Sequence, residues 1–252
     1  MRLVPSLVCV GILFAAAPAS AQQWAMFEGR FAVHVDGGYQ ANSNAFQQTV
    51  TQRVYGENAR VTAVHAVSKG AFGDVGGFFQ VWEQLQVGLT YSHFSKSGKT
   101  MVTATVPHPI LFGSNRSVSF EARTLPHRER ATHIHVSWHL DVPSVEELDV
   151  TVYGGPSVFY ASQGVVSGVV ISEPSGPPFS SVRIDRLIKD EHTRNGFGGH
   201  VGVDVTYMWT TYVGLGGFAR FAAASIKSPS PGGEFSMRVG GFQSGGGLRL
   251  RF

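Results

Sequence analysis

The eight residues HIHVSWHL, at positions 133–140, alternate without exception between polar and apolar side chains. Successive side chains of a β-strand point to opposite faces, so this stretch predicts a strand with one polar and one apolar face. The apolar face carries Ile134, Val136, Trp138 and Leu140. The polar face carries histidines and a serine, and it lacks the lysines and glutamates of a surface that faces water.

The same period of two recurs along the chain in segments of about ten residues. We predict eight strands, at 29–40, 72–82, 85–95, 131–142, 148–161, 198–208, 212–226 and 235–252. Such segments are typical of transmembrane barrel strands, in which lipid-facing and lumen-facing residues alternate. The predicted fold is therefore all-β, a transmembrane antiparallel up-and-down β-barrel of about eight strands.

Composition and connections indicate that the apolar face points outward. Charged residues make up 15% of the chain, against roughly 25% in an average soluble domain. Short connections at 83–84, 143–146 and 209–211 alternate with long external loops predicted at 41–71, 96–130 and 162–197, and a shorter one at 227–234. This alternation is typical of membrane barrels, and an even strand count places both chain ends on the short-turn side.

Aromatic side chains indicate where the two membrane interfaces lie, because aromatic rings favour that zone. The set expected near the short turns is Trp82, Trp138, Trp209, Tyr207, Tyr212 and Phe252. The set expected at the other boundary is Tyr39, Tyr91, Phe94 and Tyr160.

The first residues predict an export signal. Arg2 precedes an apolar run at 3–17, and Ala19, Ser20 and Ala21 fit a small-x-small cleavage site. We expect a cleaved signal peptide at 1–21, a short periplasmic segment at 22–28 and the barrel at 29–252. The one cysteine, Cys9, lies inside the signal. A net charge of +3 is too weak to indicate a nucleic-acid partner.

The C-terminal strand resembles the sorting signal of bacterial outer-membrane barrels, since Leu248, Leu250 and Phe252 occupy its alternating apolar positions and its terminal aromatic. The organisation from Gly29 onward is similar to that of the eight-stranded OmpA, OmpX and OmpW-like barrels. The resemblance implies a location in the outer membrane, with both termini periplasmic. It also implies outer-membrane lipid and lipopolysaccharide as surroundings and the barrel-assembly machinery as a partner in biogenesis.

The inward rows predict a polar network in the lumen. Its members are Arg30, His34, Asp36, Asp74, His133, His135, His139, Asp149, His200, Asp204, Arg220, Arg249 and Arg251. Opposite charges in a narrow barrel should pair, because an unpaired buried charge is very costly. An eight-stranded interior is just wide enough for side chains to fill. We therefore predict a filled lumen, with a narrow or gated conduit as the alternative.

The histidines of the 133–140 stretch raise two chemical alternatives. Neighbouring imidazoles on one face could share a metal, but a complete site needs three or four convergent ligands. The pair His135 and Ser137 resembles the His-x-Ser pair of outer-membrane lipid A deacylases, although that pair lies late in the chain on the lipid-facing surface. We expect no catalytic, cofactor-binding or metal residues, and hence no enzyme.

Three functions stay open at this point. The first is a structural or surface-interaction barrel with an unknown external ligand. The second is a channel or transporter for small solutes, and the third is a lipid A-modifying hydrolase.

Overall fold

The computed structural model describes residues 30–41, 44–140, 147–230 and 233–252, so the predicted signal peptide and the 22–28 segment lie outside the described residues. The described strands are β1 (Phe31–Gln40), β2 (Asn44–Val54), β3 (Glu57–Val67), β4 (Gly70–Gln80), β5 (Leu85–Pro107), β6 (Asn115–Leu140), β7 (Leu148–Ser172), β8 (Arg183–Met208), β9 (Val213–Ser230) and β10 (Gly233–Arg251). Among these residues, no helix is long and apolar enough to cross a membrane.

Eight of these strands form a closed antiparallel ring. Its order is β1, β4, β5, β6, β7, β8, β9 and β10, and β10 pairs again with β1. The described part of each of the eight predicted segments lies mostly in one of these strands. The predicted all-β antiparallel barrel of eight strands is therefore confirmed. Closure leaves no free edge in this part of the sheet, so its backbone groups are satisfied by neighbouring strands.

The prediction of long external loops is wrong, because most of the residues assigned to these loops lie in β-strands. Between β1 and β4, strands β2 and β3 form a hairpin. Its strand β3 pairs with β5 from Arg60↔Thr105 to Ala66↔Lys99. The 96–130 and 162–197 excursions are likewise the far parts of the β5–β6 and β7–β8 hairpins. Within the β5–β6 hairpin, Val102 pairs with Phe120 and Ala104 pairs with Val118.

The barrel thus has two halves, one with a mainly polar interior and one with a mainly apolar interior. The lumen half comprises β1, β4 and residues 85–95, 130–140, 148–161, 196–208, 213–224 and 240–251; the distal half comprises β2, β3 and the remainder of β5 to β10. Along β5, the even-numbered residues face inward, apart from the exposed Lys96. They are polar at Thr90 and Ser92, but apolar at Val102, Ala104 and Val106, which are fully buried. The same row of β5 therefore points inward in both halves, but its residues change from polar to apolar.

The outer face of the lumen half is apolar, apart from His93, Ser95 and Arg130 at its distal rim. Exposed residues on it include Val35, Leu89, Val136, Val203 and Leu215. The aromatic residues predicted near the short turns are also exposed there, namely Trp82, Trp138, Trp209, Tyr207, Tyr212 and Phe252. An exposed apolar surface of this extent is unusual for a protein in water and marks an interaction with another protein or a membrane.

An internal aromatic layer closes the lumen half toward the distal half. It contains Phe72, Phe94, Phe159 and Phe218, which are all buried, and the rings of Phe72 and Phe218 meet edge to face with centroids 6.0 Å apart. The predicted position of Phe94 at a membrane boundary is therefore wrong, because its even position on β5 faces inward. The other three predicted boundary residues, Tyr39, Tyr91 and Tyr160, are exposed on the outer face.

The glycine run 245–247 is regular strand. Its pairing with β1 and β9 is continuous in register. The irregular backbone lies earlier, at Gly240 and Gly241, where φ is +82° and +132°. Residues with a Cβ rarely adopt such positive φ values, so this backbone conformation depends on glycine.

A second apolar core fills the distal half. Its members are Val50, Val61, Ala63, Val102, Ala104, Val106, Ala122, Leu125, Val166, Val169, Ile184 and Leu187. β2 closes this core by bonding to the backbone of β7 across the interior. Gln48 donates to the Val166 carbonyl at 3.0 Å, and Gln52 both donates to the Val169 carbonyl and accepts from its N–H, each at 3.0 Å.

His65 of β3 is a buried polar group within this distal half. Its Nδ1 lies 3.0 Å from the Thr100 hydroxyl, its Nε2 lies 3.3 Å from Gln48 Oε1, and its ring stacks on Phe46 at 4.6 Å. Burial lowers the pKa of His65 from 6.5 to about 4. The histidine is therefore neutral in the folded distal half at pH 7.

We predict that acid weakens the distal half through His65. The unfolded side chain binds a proton more readily than the folded one, so the stabilisation is complete above pH 6.5 and is lost as the pH falls toward 4. Each pH unit within this window should raise the opening equilibrium by up to about tenfold. Hydrogen exchange of β2 and β3 measures this equilibrium, and His65→Gln should have a shallower pH slope. Equal slopes for the two proteins would contradict the assignment.

Candidate functional site

The centre of the lumen is an arginine held by two carboxylates from different strands. Arg249 of β10 lies 2.5 Å from Asp36 Oδ1 on β1 and 2.5 Å from Asp204 Oδ2 on β8. Thr206 donates a further hydrogen bond of 2.7 Å to Asp204. The guanidinium thus bridges the lumen between strands that are not neighbours, and charge-assisted bonds of this kind are among the strongest in proteins.

A second arginine forms a similar contact deeper inside. Arg220 of β9 lies 3.0 Å from Asp74 of β4, and both side chains are almost fully buried. Its Nε and Nη2 donate to Gln243 Oε1 at 2.9 and 2.6 Å, and Gln243 in turn donates to Gln40 at 2.8 Å. Buried charges need this combination of an opposite charge and further hydrogen bonds.

The remaining predicted charges lie at the short-turn end. Arg251 is 2.5 Å from Asp149 Oδ2, and His139 Nε2 is 3.6 Å from Asp149 Oδ1. Arg30 is exposed at the rim and lines a vestibule of about 230 Å³ together with these residues and Glu83. Among the described residues Arg30 makes no ion pair, so the structure places it beside the buried network and does not join it to the predicted partners.

The predicted histidines gather on one side of the lumen. His133 lies 2.7 Å from the hydroxyl of Ser157 through Nδ1 and 3.1 Å from that of Ser92 through Nε2. The Ser157 hydroxyl also lies 2.9 Å from His200 Nδ1. His34 lies apart from this cluster, with Nε2 3.3 Å from the Thr90 hydroxyl.

His135 has a different environment from the other histidines. Its ring lies 4.8 Å from the Phe78 ring and 5.3 Å from the Tyr153 ring. Neither of its ring nitrogens has a hydrogen-bond partner within the described residues, and the same holds for the Ser137 hydroxyl. His135 and Ser137 therefore do not form a serine–base couple, which a hydrolase needs as its nucleophile.

The described residues contain no group of three or more histidine, cysteine or carboxylate side chains arranged to hold a metal ion. The imidazoles of His34, His133 and His200 instead contact serine and threonine hydroxyls.

Glycines on neighbouring strands make room for the large inward side chains. A Cβ on Gly88 would lie 2.4 Å from His135 Nε2, and one on Gly216 would lie 2.6 Å from Arg249 Nε. A Cβ on Gly202 would meet the ring of Tyr153 at 2.7 Å. Small and large inward residues therefore alternate, as a narrow barrel requires.

The lumen is packed at mid-height and in the aromatic layer. At mid-height, a cavity beside Asp36 and Arg220 measures about 10 Å³, and another, within the aromatic layer beside Phe94, also measures about 10 Å³. Each has room for about one water molecule. The packing resembles that of a protein core and leaves no space for a solute at these two levels.

Sequence reasoning missed a buried acid–base contact above the aromatic layer. His127 Nε2 lies 2.7 Å from Glu129 Oε1, His127 Nδ1 lies 2.6 Å from Gln163 Oε1, and the Gly240 N–H donates to Glu129 Oε2 at 2.9 Å. Residues 127–130 are all charged or titratable, so they show no polarity contrast from which the period of two could be read. Only the pairing reveals that His127 and Glu129 face inward.

The tips of three distal hairpins are bonded to one another and form what we call the apex: residues 53–58, 107–116 and 173–183. Arg116 is its central contact, since its two terminal nitrogens donate to the Glu173 carboxylate at 2.5 and 2.6 Å. Tyr55 donates to the same carboxylate at 3.1 Å. The hydrogen bond from Arg116 holds the pKa of Glu173 below its usual value.

The tip of β5–β6 is fixed by further hydrogen bonds. The N–H groups of Ile110 and Leu111 donate to His108 Nδ1 at 3.2 and 3.0 Å, and the Gly113 N–H donates to the Glu57 carboxylate at 3.3 Å. Despite this order, the tip presents bare apolar side chains. Ile110, Leu111 and Phe112 are 65%, 59% and 85% exposed. Three adjacent exposed apolar residues on a fixed turn indicate a binding surface.

Comparison with known proteins finds no matching family model and no matching curated protein. Similar solved structures are small outer-membrane barrels. They include OprG from Pseudomonas aeruginosa (10% identity, 89% of this chain and 96% of that chain, TM-score 0.45). The outer membrane protease OmpT from Escherichia coli is also similar (9%, 88% and 97%, TM-score 0.46), as is Neisserial surface protein A (12%, 88% and 97%, TM-score 0.41). Likenesses at this level say nothing about a biological role.

We predict that Asp74→Asn destabilises the lumen half by about 3–5 kcal/mol, because it leaves the buried Arg220 without its carboxylate. Adding Arg220→Gln removes that uncompensated charge and should recover part of the loss. The measurement is the midpoint of urea unfolding in detergent micelles.

Asp185→Asn is the matched control for this prediction. It breaks the ion pair with Arg183, in which both side chains are exposed, and it should change the unfolding free energy by less than about 1 kcal/mol. Similar losses for Asp74→Asn and Asp185→Asn would contradict a special role for the buried pair.

Proposed function

We propose that the chain is a bacterial outer-membrane barrel, with the lumen half in the bilayer, the short turns and both termini in the periplasm, and the apex outside the cell. The observation that supports this most directly is the exposed apolar face of the closed ring, set against an interior of ion pairs. Lipid offers no hydrogen-bond partners, and a closed barrel needs none from it.

The role we assign is surface interaction, without catalysis. The fixed apex with Ile110, Leu111 and Phe112 supports it, because a surface that is already ordered loses little entropy when it binds. The Ser157–histidine contacts are the nearest approach to a nucleophile site, but Ser157 and His133 are fully buried. A substrate would have no access to them.

The C-terminal strand supports recognition by the barrel-assembly machinery. Leu248 and Phe252 are exposed on the apolar face, and Phe252 packs on Phe31 with ring centroids 6.4 Å apart. The apolar residues of the last strand are therefore accessible from outside the barrel. We propose Leu248, Leu250 and Phe252 as the sorting signal.

Cysteine labelling tests the location and orientation. Cys9 is the only cysteine of the sequence and lies in the proposed signal peptide, so single substitutions give an unambiguous signal. We predict that a membrane-impermeant maleimide labels Leu111→Cys on intact Gram-negative cells and labels Glu83→Cys, in a short turn, only after lysis. The reverse pattern, or labelling of neither site in a folded protein, would contradict the proposed topology.

Planar-bilayer recording separates this role from that of a small-solute channel. We predict no discrete conductance steps for the wild-type protein, because the arginine network and the aromatic layer fill the lumen. A wide porin reconstituted in the same way is the positive control. Steady channels that Arg220→Ala or Arg249→Ala abolishes would contradict the filled lumen and favour the conduit.

A further inference from the structure

One outward column of side chains on β5 and β6 changes abruptly from apolar to cationic. From the short-turn end upward, the directly opposed pairs are Leu89↔Ile134, Tyr91↔Thr132, His93↔Arg130 and Ser95↔Arg128. All four levels lie on the exposed face. Opposed side chains in an antiparallel pair have Cβ atoms about 4.5–5.5 Å apart. His93 and Arg130 therefore lie side by side, one step above Tyr91.

The neighbouring strand continues the same boundary. Tyr160 of β7 lies directly opposite Arg130 and is half exposed. Tyrosines on the outside of a barrel favour the level of the lipid headgroups. Arg130 and His93 are thus at headgroup height, and the exposed Leu89 and Ile134 are at the height of acyl chains.

The cationic group has little acid beside it. Arg128 makes a loose ion pair of 3.5 Å with Glu191, and both side chains are about half exposed. Among the described residues, Arg130 has no carboxylate partner. The exposed Lys96 and Lys99 add positive charge farther along β5.

We infer that this column is a binding site for a phosphorylated glycolipid of the outer leaflet, whose phosphate meets Arg130 and Arg128 while its acyl chains lie along Tyr91, Leu89 and Ile134. The inference rests on the proposed membrane location. Arginine forms paired, charge-assisted hydrogen bonds with phosphate oxygens. A free anion would use the arginines alone, whereas a lipid uses the apolar column below them as well. Because the apolar column continues directly from the arginines, the site favours a lipid over a free anion.

The test compares two lipids with a matched pair of variants. The probes are diphosphorylated lipid A and the same lipid after dephosphorylation, added to the purified full-length barrel in detergent and measured by native mass spectrometry. The wild-type protein should prefer the phosphorylated lipid by at least about tenfold, corresponding to about 1.4 kcal/mol. The double variant Arg128→Gln/Arg130→Gln should lose this preference. Arg60→Gln, an exposed arginine of β3 far from the column, should keep it.

Two outcomes would overturn the inference. One is a double variant that retains the full preference. The other is displacement of the lipid by inorganic phosphate as readily as by soluble diphosphorylated headgroup, which would make the column a free-anion site. Heat-modifiability on a gel and solubility without detergent are measured on the same samples. A chain that is folded and monomeric in plain buffer would contradict the membrane location itself, whereas a folded detergent-dependent barrel without lipid preference contradicts only this inference.

Discussion

The structure depends on matching every buried charge inside a tube too narrow to hold bulk water. Arg249 is shared by Asp36 and Asp204, and Arg220 bonds to Asp74 and Gln243. Removing a charge from water costs several kcal/mol, and this cost is recovered only when the partners are close and well oriented. The contacts of Arg220 with Asp74 and of Arg249 with Asp204 also connect strands that do not pair with one another, so they fix the cross-section of the ring as well as neutralising it.

A second constraint is the space that these side chains occupy. Large polar groups fit because glycines on neighbouring strands leave room for them, as Gly216 does for Arg249 and Gly88 for His135. The high glycine content, 31 residues, therefore serves lumen packing as well as turns. Above the charged layer, Phe72 and Phe218 meet in the aromatic layer, and beyond it lie the apolar core of the distal half and the buried contact between His127 and Glu129.

The distal half explains how long strands can extend beyond the apolar belt. A sheet that leaves lipid must bury an apolar face elsewhere, and residues such as Val102 and Val166 do so inside the extension. Gln48 and Gln52 close that core against β7, and Arg116 with Glu173 joins the hairpin tips above it. Order is thus carried from the ring to the apex, where the exposed apolar turn and the proposed surface role are located.

The sequence by itself determined the eight strands of the ring and their outward and inward faces, because a period of two is a property of the extended backbone alone. The inward row of β5 also changes in the sequence from polar residues, Thr90 and Ser92, to apolar residues, Val102 and Ala104. The alternation alone does not reveal this change, because the period of two is the same whichever row is polar. Only the tertiary structure decided which charges meet, that Phe94 and His127 face inward, and that the long excursions are strands around a second core. These features depend on the register and closure of strands far apart in the chain, and no local pattern encodes them.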